Sequence, residues 1–190
     1  MLTVVNVPNL LSLLRLVAIP CFLILLSDER YGEALAVFVA AGVTDALDGA
    51  IARLMHAKTT VGAYLDPAAD KLLLMSSFIA LSFMREVPRW LTVIVLSRDV
   101  IIVLGYFLLF AMTRETMEVR PSVVGKGSTF FQLCSVTSVL VALIWPQAVS
   151  PLLRDVVFAV TGVFTTAAGL GYLYRGLAWL QSHETAAPSP

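Results

Sequence analysis

Hydrophobic positions in this chain come in long runs, and polar residues are confined to short breaks between them. Six stretches of about 20 mainly apolar residues, each long enough to cross a bilayer core, can be marked off. They are Leu10–Ser27, Gly32–Leu54, Val61–Met84, Trp90–Met112, Val123–Trp145 and Leu152–Leu177. The breaks are Asp28-Glu29-Arg30, His56-Ala57-Lys58, Arg85-Glu86-Val87-Pro88, Thr113 to Pro121, and Pro146 to Pro151. Connections this short make consecutive helices antiparallel neighbours. The pattern predicts an all-α polytopic membrane protein: six transmembrane helices in one bundle, with residues 1–180 as a single domain. Pro8 near a helix start leaves room for a short interfacial helix ahead of Leu10. The tail from Gln181 to Pro190 is expected to be disordered.

Composition strengthens the membrane reading. Of the 190 residues, 58% are hydrophobic and 14% charged, against roughly 25% charged in soluble domains. Formal net charge is zero, with no basic block, which argues against nucleic acid as a partner. Cys21 and Cys134 both sit in apolar runs and are expected as buried free thiols. Met1 to Asn9 lacks positive charge and contains Asn6, Pro8 and Asn9, so no cleavable signal is expected and the whole chain should persist. An even number of spans puts both termini on one side. Arg53, Lys58, Arg114, Arg120 and Lys126 lie at or near the loops of that side, and Arg30, Arg85, Arg89 and Arg154 near the others. The bias favours termini inside.

Against this apolar background, one segment reads D-x2-D-G-x2-A-R-x8-G-x3-D-x3-D, from Asp45 to Asp70. Asp45, Asp48, Gly49, Ala52 and Arg53 have the spacing of one helix face, and Gly62, Asp66 and Asp70 share a face of the next helix. Folding this hairpin about Leu54 to Val61 brings Asp45 level with Asp70, Asp48 or Gly49 with Asp66, and Arg53 with Gly62. At roughly 1.5 Å per residue, the deepest carboxylates lie about 12 Å in from the loop end. Four uncompensated aspartates at mid-span would cost roughly 10 kcal/mol or more. Two divalent cations would neutralise them. An all-oxygen donor set without histidine or cysteine favours Mg²⁺ or Mn²⁺ over zinc. A metal pair with an arginine at its rim suits a ligand that carries a diphosphate. Gly49, Ala52 and Gly62 leave space for close approach of that ligand. The competing readings are a proton or ion relay for the acids and plain helix packing for the small residues.

These residues resemble the complete signature of the CDP-alcohol phosphatidyltransferases. Asn6-Val7-Pro8-Asn9 with Arg15, and Asp66-Pro67-Ala68-Ala69-Asp70-Lys71, are also similar to segments of that family. The resemblance implies six transmembrane helices, usually in a homodimer, with a polar cavity facing the cytoplasm of a bacterial inner membrane. It implies transfer of a phosphatidyl group from CDP-diacylglycerol to an alcohol, with release of CMP. Carried over by position, Asp45, Asp48, Asp66 and Asp70 would hold the metals. Asp48, Gly49, Ala52, Arg53 and Gly62 would form the CDP site, with Arg53 on the diphosphate. Asp70 would also take the proton of the acceptor hydroxyl.

For the acceptor, Arg98 and Lys126 are the candidate residues, because an anionic alcohol needs cations. The plainer readings are an Arg98–Asp99 pair that neutralises itself and Lys126 as an interfacial anchor. Ser97 to Val100, Arg120-Pro121-Ser122 to Lys126, Thr129 to Gln132 and Phe164 to Ala168 look like the CMP-forming cardiolipin synthases. Phosphatidylglycerophosphate synthases usually carry Arg-Glu at Arg98-Asp99 and a further arginine where this chain reads Leu104-Gly105-Tyr106-Phe107. We therefore favour phosphatidylglycerol over glycerol 3-phosphate, with inositol phosphate and serine as other acceptors. A membrane prenyltransferase would have more helices and two separated aspartate motifs. An ion-coupled transporter would show broken helices.

Overall fold

A computed structural model describes the backbone of residues 7–55, 60–113 and 122–184. Within these, the side chains of 7–13, 45–55, 60–70, 106–107, 109–113, 180 and 182–184 are outside the description. The described residues form six helices and no strand: α1 (Val7–Ser27), α2 (Tyr31–Met55), α3 (Thr60–Phe83), α4 (Arg89–Thr113), α5 (Val123–Ile144) and α6 (Pro151–Glu184). The boundaries at Ser27, Tyr31, Phe83, Arg89, Val123, Ile144 and Pro151 each fall within one residue of the expected one.

The outer ends differ from expectation. Among the described residues, helix α1 is continuous from Val7 through Leu10, so Val7–Asn9 belong to the first helix. Helix α6 runs to Glu184, so Gln181–Glu184 are helical where disorder was expected. No proline or glycine interrupts Leu177 to Glu184, and the helix has nothing to stop it. Residues 185–190 lie outside the described ones.

Two of the turns share one device. Helix α1 closes with Arg30 N–H bonded to Leu25 O at 2.9 Å and Glu29 N–H to Leu26 O at 3.2 Å. Helix α3 closes with Glu86 N–H on Leu81 O at 3.0 Å and Arg85 N–H on Ser82 O at 3.1 Å. These are Schellman motifs, whose left-handed residue is normally glycine. Here Glu29 (φ 60°) and Arg85 (φ 64°) occupy that position.

The chain packs as two compact units, Met1–Val87 with Val136–Pro151, and Pro88–Ser135 with Leu152–Pro190. In the first, α1 packs along both α2 and α3, and α2 also meets α3. Phe22 and Phe38 pack with tilted rings 5.8 Å between centres, and Leu26, Phe78 and Leu81 of the same unit are also buried. In the second, α4 and α6 run parallel, with Trp90 beside Gly162, Arg98 beside Gly169 and Gly105 beside Tyr172. Helix α5 runs antiparallel to α6, since Ser128 meets Thr165 and Ser135 meets Thr161.

Among the described residues, two helical stretches are long and apolar enough to cross a membrane, Val123–Ile144 and Pro151–Trp179. Shorter apolar helical stretches are Leu14–Ser27, Tyr31–Thr44 and Lys71–Phe83. Both cysteines are free, but Cys21 is exposed and Cys134 only partly covered. The expectation of buried thiols fails because an apolar run in this chain faces outward as readily as inward. Val17, Val93 and Val163, each more than half exposed, show the same thing.

Candidate active site

The signature occupies two helices that touch. Asp45, Asp48, Gly49, Ala52 and Arg53 lie on the last turns of α2, and Gly62, Asp66 and Asp70 on the first turns of α3. The backbone is helical through both stretches, so the spacing keeps its meaning as helix register. All eight side chains lie outside the described residues, and so do the levelling, metal ligation and CDP contacts expected of them. Among the described residues, no three histidine, cysteine, aspartate or glutamate side chains gather as a metal site.

Arg98 is described in full, and three helices hold it. Its Nη1 donates to Asp99 Oδ1 at 2.5 Å, with the side chains 14% and 8% exposed. The neutralising pair is therefore real. It engages only part of the guanidinium, since Arg98 Nε is buried without a hydrogen-bond partner among the described residues. The stem of Arg98 crosses α6 at Gly169, where an added Cβ would meet Cγ at 3.5 Å. Its Nη2 reaches the first turn of α5, 3.7 Å from where a Cβ on Gly125 would lie.

That turn is capped by Ser122, whose Oγ accepts the Gly125 N–H at 3.0 Å. An N-capped helix start carries partial positive charge, so the guanidinium and the turn present the same sign. Lys126, the next residue after Gly125, is exposed, and its N–H donates to Ser122 O at 3.1 Å. Thus the structure brings Arg98 to the turn that carries Lys126. It places both in the second unit and the aspartates in the first.

Helices α5 and α6 are also joined by a buried polar ladder. Gln132 Nε2 donates to Ser128 Oγ and Thr165 Oγ1, each at 3.2 Å, and those two hydroxyls pair at 3.0 Å. One turn further along, Thr161 Oγ1 pairs with Ser135 Oγ at 2.8 Å and lies 3.0 Å from Phe131 O. All five polar side chains of the ladder are at most 2% exposed. Bulky groups seat on glycines around it: Trp90 on Gly162, and Phe164 on Gly127. The part that Gly169 and Gly125 play in holding Arg98 was not evident from the sequence. The available signal was Gly162 and Gly169, seven residues apart on one helix face, a spacing that suits close helix contact.

The family model for CDP-alcohol phosphatidyltransferase matches residues 5–168. The chain belongs to this family of transferases. It is 32% identical over 186 residues to cardiolipin synthase (CMP-forming) of Rattus norvegicus, covering 90% of this chain and 61% of that protein. It is 35% identical over 181 residues to a "probable phosphatidylglycerophosphate synthase" of Mycobacterium tuberculosis, covering 92% and 83%. With cardiolipin synthase (CMP-forming) of Homo sapiens it shares 31% over 186 residues, 90% of this chain and 62% of the human one. The chain thus spans about three fifths of the length of its animal relatives.

Proposed function

We propose that this protein transfers the phosphatidyl group of CDP-diacylglycerol to a glycerol-type alcohol and releases CMP. The observation that carries this reading is the family match over residues 5–168, which contains the unbroken signature on α2 and α3. The acceptor oxygen bonds to the lipid-side phosphorus, the bond from that phosphorus to the CMP oxygen breaks, and CMP departs with the electron pair. Asp70 takes the acceptor's proton. Asp45, Asp48, Asp66 and Asp70 form a hard-oxygen donor set that fits two Mg²⁺ or Mn²⁺ ions. Such ions, when bound, polarise phosphate oxygens and stabilise the leaving group's charge. Asp48, Gly49, Ala52, Arg53 and Gly62 bind and orient the CDP moiety.

Arg98 and Lys126 hold the acceptor's phosphate. Support for this comes from a guanidinium only part-used by Asp99 and aimed at the first turn of α5. We favour phosphatidylglycerol as acceptor, with glycerol 3-phosphate second; the relatives' names cover both products. All six helices span the membrane in this reading, with the signature at the cytoplasmic face of a bacterial inner membrane. Outward-facing apolar residues on α1, α4 and α6 support a lipid setting and leave surface for a homodimer.

The test is purified protein with CDP-diacylglycerol, Mg²⁺ or Mn²⁺, and a panel of phosphatidylglycerol, glycerol 3-phosphate, inositol phosphate and serine, with products identified by mass. Cardiolipin is the expected product. Absence of CMP release with every acceptor would sink the assignment. Asp70→Asn should bind donor and not turn over.

A further inference from the structure

Asp99 is buried more deeply than the arginine it holds: their side chains are 8% and 14% exposed. Both belong to the second unit. Successive residues of an α-helix point about 100° apart and do not face one another. The pair forms across that angle, with the stem of Arg98 resting on Gly169 of α6 while Nη1 donates to Asp99 Oδ1 at 2.5 Å. A guanidinium is planar and rigid. Holding Nη1 while the stem is held therefore also fixes Nη2, which lies beside Gly125 on the first turn of α5.

Asp99 also changes the charge of this place. Of the described residues at the turn, Arg98 and Lys126 are cationic and Asp99 is anionic, so the sum is a single positive charge. A phosphodiester carries a single negative charge and leaves the site neutral. A phosphomonoester carries about −1.5 to −2 near neutral pH and leaves it negative. Attraction to the site grows in proportion to the ligand's charge, whereas the cost of taking that charge out of water grows with its square. Because Arg98 and Asp99 are both mostly buried, the second negative charge costs more than it returns.

We propose that Asp99 is a specificity-determining residue. By cancelling the charge of Arg98 while aiming its Nη2 at α5, it tunes the site to a singly charged phosphodiester and against a phosphomonoester. The inference rests on the transferase reading above, with Arg98 and Lys126 at the acceptor's phosphate.

The experiment follows CMP release from CDP-dioleoylglycerol and phosphatidylglycerol with Mn²⁺ present. It measures the inhibition constants of two soluble competitors, glycerophosphoglycerol, a diester, and glycerol 3-phosphate, a monoester. Wild type should bind the diester more tightly. Asp99→Asn keeps an oxygen for Nη1 and removes the charge, so the ratio of the two constants should shift toward the monoester about tenfold or more. Asp99→Glu keeps the charge and displaces it by one methylene; it should weaken both competitors together and leave their ratio as in wild type. Lys126→Gln should shift the ratio the other way. KM for CDP-dioleoylglycerol should hold in all three, whereas a purely structural role for Asp99 would raise it and leave the ratio alone.

An unchanged ratio in Asp99→Asn, or an equal shift in Asp99→Glu, overturns the proposal. So does a wild type that turns over glycerol 3-phosphate in preference to phosphatidylglycerol. If Asp99→Asn does not fold, Lys126→Gln decides, because an unchanged ratio there refutes the charge count that Asp99 enters. A wild type that makes CMP with phosphatidylglycerol and is inhibited by neither competitor removes this inference and leaves the transferase reading. A wild type that releases no CMP with any acceptor removes both.

Discussion

The stem of Arg98 lies across Gly169: a methyl group there would touch Arg98 Cγ at 3.5 Å and Cβ at 3.8 Å. These are ordinary contact distances, so Gly169→Ala should keep near-wild-type activity. Gly169→Leu has no such room and should turn the guanidinium away from α5. We expect an acceptor KM raised about tenfold or more, since small misplacements of a binding group are costly. Donor KM should stay put. A donor KM that rises equally would show that Gly169 acts on the whole unit and not on Arg98.

The α5–α6 ladder predicts an order of costs. Gln132→Leu leaves the Ser128–Thr165 pair intact and should cost about 0.6 kcal/mol, typical of hydrogen bonds between membrane helices. Thr165→Val removes a partner from both Ser128 and Gln132, so about 1–2 kcal/mol is expected. Unfolding in detergent measures both. Equal costs, or the reverse order, would contradict the shared role of Thr165.

Glu29 holds a left-handed conformation at the end of α1, where its charge also faces the negative end of the helix. Glu29→Gly relieves both and adds chain entropy to the unfolded state. The net expectation is about 0.5–1 kcal/mol of added stability. A thermal unfolding midpoint below wild type would refute it.

Cys21 is exposed at the protein surface on α1, in a stretch that the proposed six-span arrangement puts in the membrane. In intact membranes it should resist a charged, impermeant thiol reagent and react with a lipid-soluble maleimide. Prompt labelling by the charged reagent would place this part of α1 in water.

Helix positions were legible because polar breaks such as Asp28-Glu29-Arg30 are abrupt and leave no ambiguity of register. The aspartate motif was legible because its spacing is local to two adjacent helices. What escaped depends on packing between distant segments. Arg98 and Gly125 could each be picked out, but nothing local says that Gly169 lies beneath the arginine. Ser128 and Gln132 are visible as polar residues in an apolar run, but nothing local names Thr165 as their shared partner. Val7–Asn9 were set apart because Pro8 suits the start of a separate helix as well as a place in the first one. Cys21 was misplaced because apolar context cannot tell a protein neighbour from a lipid one.

The ladder also bears on how the chain is assembled. Alone in hydrocarbon, α5 would expose Ser128, Gln132 and Ser135, and α6 would expose Thr161 and Thr165; side by side they satisfy one another. Entering the bilayer as a hairpin is therefore easier for the two than entering singly. Because α6 follows α4 in the chain, Arg98 emerges from the ribosome well before Gly169, the surface its stem rests on. The guanidinium takes its final position only once α6 has been made, so a chain cut short before α6 would carry the whole aspartate signature and still lack a formed cradle for Arg98.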